Sequence, residues 1–102
     1  MQTTTFDNEI AIVVETATCK AFDCKVGNIV CYADTLVKKV VVFVLLKSYG
    51  YDKRILGKKY QMSYLYVPTV VAEIIAKIDR EPDFRNKVMS IVKSIEYAEI
   101  LD

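Results

Sequence analysis

Apolar residues recur along this chain at helical spacing. Ile10, Val13, Val14 and Ala17 fall at i, i+3, i+4 and i+7 behind Asp7, a good N-cap, and predict a first helix over about 7–20. The clearest pattern is Val67, Val70, Val71, Ile74, Ile75 and Ile78, opposite Thr69, Ala72, Glu73, Ala76 and Lys77. Pro68 inside a helix would remove a hydrogen bond and clash with the preceding turn, whereas in the first turn it is tolerated. The pattern therefore predicts a helix starting at Pro68, with Met62–Val67 an exposed loop. Phe84, Val88, Ile91, Val92 and Ile95 predict a last helix from about Asp83 to Tyr97.

The run VVVFVLL, Val40 to Leu46, favours a buried strand by propensity alone. It lies, however, in an uninterrupted stretch from Thr35 to Tyr49, long for a strand, with Asp34 placed to cap it and Gly50 to end it. A helix buried on nearly all sides fits better. Asp52 then caps a short helix over Lys53–Tyr60, with Ile55, Leu56 and Tyr60 facing inward, and Gln61-Met62-Ser63 forms a turn. DCKVGNIVCY, residues 23–32, leaves room for a helical turn or two. The expected fold is all-α: one domain over residues 1–102, a bundle of five to six helices.

Composition narrows the chemistry. With 102 residues and 53% hydrophobic content the chain can bury a modest core and is too apolar for a disordered tail. Its longest apolar run is too short to span a bilayer, and MQTTTFDNE has neither the basic nor the apolar region of a signal peptide. A soluble, cytoplasmic protein is expected, without a membrane partner. The chain has no histidine, which excludes Ser-His and Cys-His pairs and histidine metal ligands. Cys19, Cys24 and Cys31 match neither CxxC nor zinc-ribbon spacing and read as reduced, mostly buried thiols. Three glycines cannot assemble a phosphate-cradling loop. No enzyme, cofactor or metal site is expected.

The net charge of +1 conceals an uneven distribution. Residues 35–79 carry eight basic and three acidic side chains, whereas both flanking segments are net acidic. Most of the excess is Lys38, Lys39, Lys47, Lys53, Arg54, Lys58 and Lys59, opposed locally only by Asp52. Two helices joined by a tight turn, LGKKYQMS followed by YVPTVVAEI, match a helix-turn-helix over about 52–78, with Gly57 where the first helix approaches the second and Val67 plugging the core. Such a unit sets its second helix in the DNA major groove and its flanking basic residues on phosphates.

The stretch KVVVFVLLKSYGYDKRILGKKY resembles the C-terminal DNA-binding domain of the bacterial replication initiator DnaA. In that family an Arg precedes a buried helix, followed by a Thr-Gly turn and a short helix reading roughly L-x-E-I-G-x-x-F. Lys39 stands at the Arg, Gly50 at the turn Gly, Leu56-Gly57 at the Ile-Gly and Tyr60 at the Phe, while Pro68-Thr69-Val70 matches the family's S-T-V helix start. The family's base- and phosphate-reading Arg-Asp-His is replaced by Leu65-Tyr66-Val67, in a loop about three residues longer. Its basic segment before the buried helix is replaced by Cys31-Tyr32-Ala33-Asp34. Of its base-reading residues only the Thr remains, as Thr69, and no ATPase module is present. The resemblance implies an inherited scaffold with altered readout, in a protein of replication or transcription regulation.

Two functions follow. In the first, the protein binds double-stranded DNA, with Lys38, Lys39, Lys53, Arg54, Lys58 and Lys59 on phosphates and Ser63, Tyr64, Tyr66 and Thr69 at the groove. Glu73, on the exposed face, opposes phosphate if it points inward. In the second, the scaffold is a protein-interaction or structural module. The aromatic and apolar loop of Met62, Tyr64, Leu65 and Tyr66 would then contact a protein partner or a second copy.

Overall fold

The computed structural model describes residues 6–23 and 36–101, with side chains of the last helix described through Glu96. These residues form α1 (Asn8–Phe22), α2 (Leu36–Tyr49), α3 (Lys53–Lys59), α4 (Val67–Arg80) and α5 (Pro82–Leu101). No strand occurs among the described residues, and the expected all-α fold holds. The short helical segment expected within residues 24–32 and the cap expected from Asp34 lie outside the described residues.

Local chemistry sets the helix ends. The Asp7 carboxylate accepts from the Glu9 N–H at 2.8 Å and opens α1. Asp52 does the same for α3, accepting from the Arg54 N–H at 2.7 Å. Gly50 ends α2 with φ +67°, its N–H on the Leu46 carbonyl and the Tyr51 N–H on that of Leu45. This left-handed closure satisfies two carbonyls that the last turn would otherwise leave orphaned. α4 begins at Val67, one residue before the predicted start. Pro68 occupies the second position, where no intrahelical donor is required of it.

α2 is the hub, packing against each of the other four helices. Surrounded in this way, it buries Val40, Val41, Val42, Val44 and Leu45. Each valine costs a few tenths of a kcal/mol in helix propensity, whereas burying its side chain returns about 1.5 kcal/mol or more. Burial wins, and the β-branched run is a helix. α1 covers one side of α2 and packs on α5, and α4 packs on both α2 and α5.

Several expected faces are turned. α1 buries Ala11, Val14, Glu15, Thr18 and Cys19, a stripe rotated by one residue from the predicted one, leaving Val13 exposed. The polar members of that stripe are satisfied where they lie. The Thr18 hydroxyl donates to the Val14 carbonyl at 2.7 Å, and the Glu15 carboxylate accepts from the Tyr60 hydroxyl at 2.7 Å. In α3, Leu56 and Tyr60 face inward as expected, but Ile55 does not and is exposed. Leu56 and Gly57 occupy the narrow side that a two-turn helix can offer the core. Ile75 likewise lies beyond the buried stripe of Val67, Val70 and Ile74 and is exposed.

Candidate nucleic-acid interface

The α3–α4 unit is joined by residues 60–66, the same length as the connection expected between Tyr60 and Pro68 but longer than the three or four residues of a tight helix-turn-helix. Gly57 makes the connection possible. A Cβ there would stand 2.7 Å from the Met62 carbonyl oxygen and 3.1 Å from the Tyr64 nitrogen, so the chain returns directly over the glycine. Gln61 turns the corner at φ +56°, and the Met62 N–H bonds back to the Gly57 carbonyl. The Ser63 Oγ accepts from the Leu65 N–H at 3.2 Å, and the Tyr66 N–H reaches the Ser63 carbonyl. Ser63 is thus a turn-former with an exposed hydroxyl.

The predicted loop is exposed only at its tip. Leu65 is 71% exposed and Tyr64 38%, whereas Tyr66 and Met62 pack against the core and Val67 is fully buried. Thr69, in the first turn of α4, is exposed. With Ala72 and Ala76 it lines the side of α4 opposite the core, where short side chains at the start of the helix are flanked by Glu73 and followed by the exposed Asp79 and Arg80.

The six predicted phosphate ligands divide. Lys38 shares the inward stripe of α2 with Val41, Val42 and Leu45 and is only 1% exposed, so it is a core residue and not part of a surface cluster. The hub position of α2 carries it inward. Lys39 is half-buried, and its Nζ donates to the Glu73 carboxylate at 3.0 Å, with the Tyr66 ring centroid 5.8 Å away. Hydrogen bonds to Glu73, and secondarily to the Tyr66 hydroxyl, raise the Lys39 ammonium above its ordinary 10.5. Its charge is already engaged.

The remaining four sit together on α3. Lys53, Arg54 and Lys58 are exposed and Lys59 is half-buried. Neither ion pair among the described residues involves any of them. The Arg54 guanidinium lies 5.2 Å from the Tyr64 ring centroid, which ties the loop tip to the basic helix. Lys59 lies 5.9 Å from the Phe6 ring centroid and 5.6 Å from that of Tyr60. Lys58 and Lys59 suit the negative end of the helix dipole, but Lys53 and Arg54 oppose its positive end, where each is locally unfavourable.

Nothing local in the sequence marks the Glu15–Tyr60 and Lys39–Glu73 pairs. Their members stand 45 and 34 residues apart, beyond anything a local pattern carries. Among the described residues no group of three or more Cys, Asp or Glu is placed to hold a metal ion, and no helix is long and apolar enough to cross a membrane.

Compared with protein-family profiles, curated proteins and solved structures, the chain matches none.

Proposed function

We propose that this domain binds double-stranded DNA, with α3 lying along the phosphate backbone and the exposed side of α4 facing the major groove. The observation that carries this reading is the set of Lys53, Arg54, Lys58 and Lys59 on a seven-residue helix, outside the described ion pairs. Two of these cations stand at the end of the helix where the dipole disfavours them. The Asp52 cap offsets part of that cost, and an external anion beside Lys53 and Arg54 would offset the rest. The short side chains of Thr69, Ala72 and Ala76 allow close approach of a groove, and Thr69 can meet a thymine methyl or a hydrogen-bonding base edge. The resemblance to the DnaA C-terminal domain favours the same arrangement.

The test is duplex binding by fluorescence anisotropy over a salt series. Four phosphate contacts give a slope of log K against log salt of about −3.5. Replacing Lys58 and Lys59 together by Glu weakens binding to all duplexes alike, because phosphate contacts carry no sequence information. Binding indifferent to salt and to this double change would refute the proposal.

A second reading rests on Leu65, an apolar side chain 71% exposed at the loop tip beside Tyr64. In that reading the tip anchors a protein partner. Leu65→Asp then abolishes association while leaving the helical fold intact. Tyr66→Ala is unsuited to that test, since Tyr66 packs against the core.

A further inference from the structure

Glu73 looks out of place on a DNA-facing helix. A bare carboxylate there repels phosphate, and in sequence it reads as an obstacle to binding. Its surroundings reverse that reading. Glu73 is four residues beyond Thr69, so the two are neighbours on the same side of α4. Its Oε2 accepts from Lys39 Nζ at 3.0 Å, while its side chain remains 46% exposed, against 17% for Lys39. The lysine comes from α2, the central and most enclosed helix, and its ammonium also faces the Tyr66 ring at the start of α4. The carboxylate is thus neutralised by an ammonium that approaches from the domain side. It is held in one orientation and still presents acceptor capacity outward.

On this basis, and resting on the DNA-binding reading above, we infer that Glu73 is a base-reading residue. It accepts a hydrogen bond from the exocyclic amine of a cytosine in the major groove, with Lys39 as its positioning residue. Cytosine is the base whose major-groove edge offers a donor without an adjacent acceptor, and a carboxylate, which only accepts, is its natural partner. A glutamate without Lys39 would bring an unneutralised charge between the phosphates. With Lys39 the pair is neutral overall and the side chain is oriented before DNA arrives.

The test is selection of bound duplexes from a fully randomised duplex library, with wild type, Glu73→Gln and Lys39→Met compared at one salt concentration, followed by salt titration of the selected duplexes. Wild type selects cytosine at one position by at least about fivefold. Glu73→Gln, which keeps the side-chain length and adds a donor, moves that position toward adenine and leaves the others unchanged. Lys39→Met flattens the cytosine preference without changing the salt slope, because its ammonium is engaged by Glu73 and not by phosphate. An unchanged profile in Glu73→Gln overturns the inference while leaving DNA binding intact. So does tighter binding of Glu73→Gln to all sequences, which would make Glu73 a repulsive charge only. A shallower slope in Lys39→Met for every duplex would assign Lys39 to a phosphate and also overturn it. Absence of salt-sensitive duplex binding by wild type overturns the DNA reading itself, and this inference with it.

Discussion

Tyr60 brings a hydroxyl into the core and finds Glu15 there, a carboxylate itself only 6% exposed. Removing that hydroxyl leaves a buried carboxylate short of a donor. Tyr60→Phe is expected to cost about 1.5–3 kcal/mol in urea unfolding. Glu15→Gln should cost less, because an amide oxygen still accepts from the phenol. The two glycines of the central region are required for different reasons, and substitution separates them. At Gly50 nothing lies within 4 Å of a built Cβ and the demand is purely conformational, so Asn, which tolerates positive φ, is milder there than Val. At Gly57 the obstacle is backbone, the Met62 carbonyl at 2.7 Å, and Gly57→Ala should destabilise by about 1–3 kcal/mol through a forced shift of the turn. An alanine at 57 that left the melting temperature unchanged would contradict the close approach. The sequence marked Gly57 as a contact point because it is small. It could not mark Glu15, since a glutamate in an amphipathic stretch reads as solvated unless its distant partner is known.

Among the elements, α3 depends most on its ends. It is two turns long, too short to persist without tertiary support, and its N-cap Asp52 is one of the few groups that stabilise it locally. Asp52→Ala should cost about 1 kcal/mol. It should also loosen the basic residues that α3 carries, which amide exchange over residues 53–59 would register. Among the described residues helix identity was legible: the start and end signals at Asp7, Gly50 and Asp52 act where the sequence placed them. Which side of each helix faces inward was legible only where the apolar stripe is unmixed. α5 buries Phe84, Val88, Ile91 and Ile95 as its spacing predicts. In α1 the realised rotation turns Glu15 toward Tyr60, 45 residues away, whereas Thr18 is satisfied within the helix by the Val14 carbonyl. Lys38 escaped for a related reason. A lysine next to Lys39 reads as surface, and only the enclosure of α2 by four helices carries it inside.

For the molecule as a whole, two perturbed groups act in the same direction. Burial, and then the hydrogen bond to Glu15, hold the Tyr60 phenol well above its ordinary 10.0, and Glu73 with Tyr66 holds Lys39 above 10.5. In each case the folded state keeps its proton more tightly than the unfolded chain. The stability this provides is complete below about pH 10 and is lost as pH rises through the raised folded values. Urea midpoints should therefore be flat from about pH 8 to 9.5 and fall above about pH 10, less steeply in Tyr60→Phe. A midpoint constant to about pH 11 would show that neither group is coupled to folding. The mixed charge pattern belongs to this scale too. The net charge of +1 gives little long-range attraction, so in the proposed DNA-binding role affinity would rest on the local cations of α3 and would decline with added salt.

The hydroxyl of Tyr60 also bears on the order in which the molecule assembles. It joins residues 45 positions apart, at the last turn of α3 and midway along α1. Closing so long a segment costs chain entropy before the bond returns anything, whereas each helix end is closed by neighbours in sequence. The bond should therefore form late, after the folding barrier is crossed. In stopped-flow experiments Tyr60→Phe would then accelerate unfolding and leave the refolding rate nearly untouched. The same contact would make α1 the latch that governs how long the α3–α4 unit stays assembled.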